Sequence, residues 1–310
     1  MMKIVFMGTP EFGAVILDKL ITAHEIVLVV TQPDKTVGRK RKIESSPVKK
    51  LAQEHNLNVY QPRNIRKEYE EILKYDFDII VTAAYGQIVG KQLLDYPRYK
   101  AINVHGSLLP KYRGGAPIQR AIINGENTTG ITIMFMAEKM DAGDIIMQKS
   151  LPILDEDNSD SLFQKLAHLG AGMILPALDQ IEKGKIEPIK QNEEEVTFAY
   201  NLTKEDELID FNKNARSVFN QIRGLATNPG AYFKIDNLVI KVYDSEISDI
   251  KHEEKPGIII DVANDSFTIS CGDNSAITFK KLKPAGSNLM PVKSFLNGKG
   301  RNLIIKNRRI

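Results

Sequence analysis

Residues 3–31 read KIVFMGTPEFGAVILDKLITAHEIVLVVT, and this opening sets how the rest of the chain is laid out. The apolar run from Ile4 to Met7 has the character of a buried strand, and Gly8-Thr9-Pro10 breaks it in a turn. FGAVILDKL then spaces its apolar residues as a helix does, and EIVLVVT returns to a strand. Strand, helix, strand is the start of a βαβ unit. Gly8 and Gly13 do not complete G-x-G-x-x-G, and no Gly-Lys-Ser or Gly-Lys-Thr follows. Neither the dinucleotide fingerprint nor the phosphate loop is present.

The alternation continues along the chain. VKKLAQEHN reads as a helix, NVY as a short strand, YEEILKY as a helix and FDIIVTAA as a strand. A loop from Tyr85 and the helix KQLLDYP lead into the strand AINVH. Helices between strands predict a Rossmann-like, mostly parallel sheet covered on both faces. Residues 32–50 interrupt the pattern as one long polar loop carrying Arg39, Lys40, Arg41 and Lys42. Such a run suits phosphate contacts, and it equally suits a solvated surface loop.

Within AINVH, Asn103 and His105 are two apart, so an extended backbone projects both from one face. Gly106 ends the run, and open α/β sheets place ligands at such strand ends. Downstream, ITIMFM and DIIMQKS are strand-like segments around Met140-Asp141-Ala142-Gly143, a turn able to present a carboxylate near the same edge. The three side-chain types have complementary uses. A carboxamide N–H can meet a developing oxyanion, an imidazole can move a proton, and a carboxylate can fix the imidazole tautomer and favour its cation. Together they fit acyl transfer. Pro117 opens a helix, which leaves Gln119 and Arg120 as helix-face residues.

Residues 157–184 have helical spacing through Leu162, Leu166, Leu169, Ile174 and Leu178, with Pro176 expected to end or kink the helix. A catalytic domain over 1–188 and a linker over 189–206 are expected, with a second domain over 207–310. That last domain holds one helix, DFNKNARSVFNQIRGL, and five short strands, which suggest a small antiparallel barrel.

A lone cysteine, Cys271, excludes an internal disulfide and a cysteine metal site. No apolar run is long enough for a signal peptide or a bilayer span, so a cytosolic protein is expected. The net charge of +3 is unevenly placed: after Asp273 there is no acidic residue, while nine Lys and Arg follow. A polyanionic partner and a merely soluble basic tail both account for that.

The string NVHGSLLPKYRGGAPIQR, followed by MDAGD, resembles the folate-dependent formyltransferases, with N-x-H-x-S-L-L-P and a later D-x-G-D as their hallmark. The form LLPKYRGGAPIQR is similar to members that act on charged tRNA. The likeness extends through TFAYNLTKEDELIDF, IKVY and KPAGSNLM, essentially the whole chain. It implies transfer of formyl from the co-substrate 10-formyltetrahydrofolate to the methionine of initiator methionyl-tRNA, in translation initiation, by a cytoplasmic monomer without a metal. Asn103, His105 and Asp141 are then catalytic. Ser107, Leu108, Leu109 and Pro110 would contact the folate, and Tyr85, Gly86, Gln87, Ile88 and Val89 would enclose its pterin. Arg39, with Lys40, Arg41 and Lys42, would bind tRNA, and the C-terminal barrel would be OB-like. The chain departs from the family's pattern at Asn228, where NPGAY replaces a tryptophan-bearing N-P-W-P sequence, and it has no tryptophan at all. Two other classes remain open: an oxidoreductase lacks its dinucleotide loop, and a non-enzymatic RNA-binding protein leaves N-x-H and D-A-G-D unexplained.

Overall fold

The computed structural model describes residues 1–37 and 42–310. Their contacts divide the chain into two compact units. The first comprises Met1–Pro117, Thr128–Pro152 and Phe163–Tyr200, and the second Ile118–Asn127, Ile153–Leu162 and Asn201–Ile310.

In the first unit, β1 (Lys3–Gly8), α1 (Glu11–Ile21) and β2 (Glu25–Val30) form the βαβ opening. A short antiparallel pair follows, β3 (Lys35–Val37) and β4 (Lys42–Glu44), then α2 (Pro47–Glu54) and β5 (Val59–Tyr60). The segment read as one loop over 32–50 thus contains a small ladder. It closes where the Ser46 hydroxyl accepts from Lys49 N and Pro47 opens α2. Tyr69–Lys74 is a 3₁₀ turn rather than the α-helix its pattern suggested, because only Ile72 is buried and packing supports no longer helix. Next come β6 (Ile79–Ala83), α3 (Lys91–Leu94), β7 (Ala101–His105), β8 (Thr128–Phe135), β9 (Ile145–Pro152) and, from Phe163 on, α5 (Ser159–Glu182), while α4 (Pro117–Ile123), between β7 and β8, belongs to the second unit from Ile118.

The seven-stranded sheet has the order β5-β2-β1-β6-β7-β8-β9. β5 to β7 are parallel, and β8 and β9 are added antiparallel. Chain direction across the sheet reverses between β1 and β6, the topological switch at which such sheets bind ligands. β1 is almost wholly buried because both faces are covered. Val5, Met7, Leu28, Val30 and Ile80 pack with Ile72, Leu93 and Leu94 on one side. On the other, α1 and α5 meet at Phe12 and Phe163, whose rings lie edge to face at 5.5 Å. Gly170 permits that approach: a Cβ there would stand 3.0 Å from Ile16 Cδ1 and Val104 Cγ1. α5 runs on past Pro176 to Glu182, and its buried face of Leu166, Ile174, Ala177 and Leu178 offsets the roughly 3 kcal/mol a mid-helix proline costs.

In the second unit, α6 (Lys204–Glu207) and α7 (Ala215–Leu225) precede β10 (Tyr232–Ile235), β11 (Leu238–Ser248), β12 (Ile259–Val262), β13 (Phe267–Ser270), β14 (Ala276–Pro284), β15 (Met290–Pro291) and α8 (Val292–Leu296). The antiparallel sheet runs β10-β11-β14-β13-β12, with β15 on β14 as a strand beyond the five expected. Register shifts in β11 and β12 let it curl around Phe211, Phe233, Phe267 and Phe279. Its outer strands are not left open, since Leu208 pairs with Tyr232 of β10 and Arg309 pairs with Ile258 beside β12. At NPGAY, Gly230 takes a φ of 82° and Ala231 is fully buried. Arg120, a helix-face residue in sequence, makes a bidentate pair with Asp206, both bonds at 2.7 Å. Among the described residues no helix is long and apolar enough to cross a membrane.

Candidate active site

Thr82 of β6 and Asn103 of β7 are partners across the parallel ladder. The Thr82 hydroxyl donates to Asn103 Oδ1 at 2.7 Å, which turns the amide so that Nδ2 points away from β6. Two residues on, His105 is buried with its Nε2 3.0 Å from the Tyr112 carbonyl. A carbonyl only accepts, so Nε2 carries a hydrogen and Nδ1 is left for proton exchange. Nδ1 lies 3.7 Å from Asp141 Oδ2, a contact of charge and not a hydrogen bond. The tautomer is therefore set by the Tyr112 carbonyl, the task that sequence reasoning gave to the aspartate. Tyr112 reaches it from the left-handed region, with φ 62°, and its own N–H is tied to Thr197 Oγ1 at 2.9 Å.

Asp141 also has a left-handed φ, 50°, and its Oδ2 accepts the Gly114 N–H at 2.8 Å. Gln191 grips this turn: Nε2 donates to the carbonyls of Asp141 and Gly143, each at 2.8 Å. Gln191 Oε1 in turn accepts from Arg113 Nε at 3.0 Å and Nη2 at 2.9 Å. Arg113 is fully buried, and Nη2 also reaches Glu193 Oε1 at 2.8 Å, while Nη1 is buried with no hydrogen-bond partner among the described residues. Hydrogen bonds from Arg113 and then Lys139 pull the Glu193 carboxyl down to about 2. A carboxyl lowered on folding stabilises the fold above its ordinary value of 4.5, and that contribution fades as pH falls toward about 2. Glu193→Gln should accordingly melt below the parent protein at pH 6, with the gap narrowing below pH about 4.5 in thermal unfolding scans. A gap independent of pH would mean that the charge of Glu193 is not what matters.

The Ser107-Leu108-Leu109-Pro110 loop is pinned by Thr132. Its hydroxyl donates to Ser107 O at 2.7 Å and accepts from Leu109 N at 3.1 Å and Gln148 Nε2 at 2.9 Å. Ser107 spends its own hydroxyl on Lys111 O at 2.7 Å, and Leu109 is buried, so Leu108 and Pro110 are the members left partly open. The Tyr85–Val89 segment is also divided. Tyr85 and Val89 join the core, where burial raises the Tyr85 phenol above its usual range. Gly86, Gln87 and Ile88 line a cleft of about 320 Å³ with Gln32, Arg63, Asn64 and Arg66. Lys42 is exposed in β4, and Arg39, Lys40 and Arg41 lie outside the described residues. Sequence reasoning missed Thr82, Arg113, Gln191 and Thr132. Arg113 stood inside the quoted motif, whereas Gln191 fell in a stretch read as linker and carried no local signal.

Asn103 in the middle of β7, His105 at its end and Asp141 in the β8–β9 connection thus supply a directed amide, an imidazole of fixed tautomer and a carboxylate near that imidazole. Residues 2–178 match the formyl transferase family, and residues 201–300 match its C-terminal domain. Methionyl-tRNA formyltransferase of Listeria monocytogenes serotype 4b (strain CLIP80459) is 47% identical over 98% of this chain and 97% of that protein. The protein of the same name from Staphylococcus aureus (strain MW2) is 46% identical over 99% of both. Among solved structures, an N-formyltransferase from Helicobacter canadensis, in complex with folinic acid and dTDP-3-aminofucose, superposes with a TM-score of 0.70. It is 21% identical and covers 90% of this chain and 99% of its own, a likeness of fold. With both domains matched in order and near-half identity end to end, this chain belongs to the formyl transferase family.

Proposed function

We propose that the chain transfers the formyl group of 10-formyltetrahydrofolate to the α-amino group of methionine on initiator methionyl-tRNA, as a cytoplasmic monomer. The observation that carries the chemistry is the cluster of Asn103, His105 and Asp141, and the near-full-length likeness to methionyl-tRNA formyltransferases supports the acceptor. The Helicobacter canadensis neighbour solved with folinic acid favours a folate-type donor. The amine nitrogen attacks the formyl carbon, the bond from that carbon to N10 breaks, N10 gains a proton and the amine loses one. An α-amino group has a pKa near ~8, and an ester neighbour lowers it, so much of it is already neutral at physiological pH. The harder tasks are the oxyanion and the leaving nitrogen. Asn103 Nδ2 donates to the formyl oxygen as it gains charge. His105 uses Nδ1 for the proton, since Nε2 is held by Tyr112, and the Asp141 carboxylate 3.7 Å away stabilises the imidazolium.

On this reading Leu108 and Pro110 contact the folate beside Ser107 and Leu109, and Gly86, Gln87 and Ile88 border it with Tyr85 and Val89 behind. Arg39, Lys40, Arg41 and Lys42 hold tRNA phosphates. Residues 1–188 form the catalytic part, 189–206 the linker and 207–310 a tRNA-binding part. The experiment is mass-spectrometric detection of formyl-methionine after incubation with 10-formyltetrahydrofolate and charged initiator or elongator methionine tRNA. Formylation of the initiator alone is expected, with Arg39→Ala weakening tRNA use but not folate binding. Folate-dependent formylation of a nucleotide-linked amine, with neither tRNA used, would keep the chemistry and reject the acceptor.

A further inference from the structure

Residues 197–200 run extended beside residues 112–116. The Arg113 N–H donates to Thr197 O at 2.9 Å, the Ala199 N–H to Arg113 O at 2.7 Å and the Ala116 N–H to Ala199 O at 3.0 Å. Along an extended segment alternate side chains take opposite sides. Ala199 points inward and is fully buried, while Phe198 and Tyr200 share the outer side. There the two rings stack, with centroids 5.4 Å apart and planes within 8° of parallel. Phe198 is nevertheless 46% exposed and Tyr200 64% exposed. A single exposed apolar side chain needs no explanation, but two large, exposed rings in an offset stack form an aromatic platform of the kind on which nucleobases stack.

The platform stands next to the chemistry. Gly114, whose N–H holds Asp141 Oδ2 at 2.8 Å, lies so close to the aromatic segment that a Cβ on it would sit 2.6 Å from Ala199 O. The residue between the two rings is therefore packed on the loop that holds the Asp141 carboxylate. In a charged tRNA the amino acid is esterified to the ribose of an unpaired terminal nucleotide, so its amine lies within one nucleotide's length of an unstacked base. Unpaired bases of this kind are what proteins engage by stacking on aromatic rings.

We propose that the Phe198–Tyr200 stack seats the unpaired 3′-terminal nucleobase of the charged tRNA and thereby sets the esterified amine against Asn103 and His105. The proposal rests on the reading of the acceptor as an aminoacyl-tRNA. Ring faces carry the contact, so Phe198→Tyr and Tyr200→Phe retain it, whereas a double replacement by leucine keeps apolar bulk and removes the π-faces.

The test measures initial rates with charged initiator tRNA, together with fluorescence of a 2-aminopurine placed at the terminal position. In the parent protein the probe is quenched on binding. In Phe198→Leu/Tyr200→Leu quenching is lost and KM for tRNA rises about 10- to 100-fold, the range expected for losing one stacked base. Folate affinity and thermal unfolding stay unchanged, and the two aromatic exchanges restore quenching. If the parent protein formylates charged tRNA and the leucine variant matches it in KM and quenching, the stacking proposal falls alone. If the parent protein formylates no charged tRNA, the acceptor reading falls and takes the proposal with it. Conversion of a dimer to a monomer by the leucine variant, at unchanged KM, would assign the rings to a second copy of the chain and overturn the proposal.

Discussion

Asn103→Ala should lower kcat about 10²- to 10³-fold while leaving folate affinity unchanged, the cost of deleting one preorganised oxyanion donor if Asn103 has the role proposed above. The amide is preorganised because Thr82 donates to its oxygen at 2.7 Å, so no reorganisation is needed when charge develops on an oxygen facing Nδ2. Deleting the side chain does not strand Thr82, whose hydroxyl also lies 3.2 Å from the Ile102 carbonyl. Stability should therefore fall by no more than about 1 kcal/mol, the net worth of an ordinary hydrogen bond. Single-turnover rates, folate titrations and thermal melts on the same preparation separate these effects. A variant that loses folate binding in proportion to rate would show that Asn103 serves ground-state binding, and the oxyanion role would have to be given up.

Gly143→Ala is the second large effect. A Cβ at Gly143 would stand 1.8 Å from the Phe135 carbonyl oxygen and 2.7 Å from its carbon. Both are backbone atoms, so no rotamer change relieves the overlap, and the β8–β9 connection must move. The cost should reach about 3 kcal/mol or more, the upper end of what overpacking causes. Activity should fall as well, because Gly143 O is one of the two carbonyls by which Gln191 holds the Asp141 turn. Gly172 in α5 is the control, since nothing lies within 4 Å of a Cβ built there. Gly172→Ala should leave the protein as stable or raise its stability by up to about 1 kcal/mol through helix propensity. Chemical denaturation of both variants checks the pair, and equal midpoints would refute the close-approach argument.

Local pattern explains why the first unit was legible. Apolar runs at β1, β2, β6 and β7, separated by helical spacing or turn residues, specify parallel strands because each run must be covered on both faces. The five strands of the second unit were legible from the same kind of punctuation. Where the pattern misled, tertiary packing outweighed a local preference. α5 does not end at Pro176 because its buried face supports it, and Tyr69–Lys74 stops at a 3₁₀ turn because it buries too little. The added β15 is only Met290–Pro291, too short to carry a periodic signal.

By itself the sequence determined which chemical groups were available and on which face they lay. The period of two in AINVH puts Asn103 and His105 on one side of a strand, and the glycine after them ends that strand. Only the tertiary structure decided how those groups are held. The Tyr112 carbonyl that fixes the imidazole comes from a residue in a left-handed conformation, and the Gly114 N–H that holds Asp141 comes from 27 residues upstream. Gln191 binds the Asp141 turn across 50 residues and is itself held by a buried arginine. A period of two or of 3.6 residues describes contacts within one element, whereas these bonds join loops whose separation along the chain has no period.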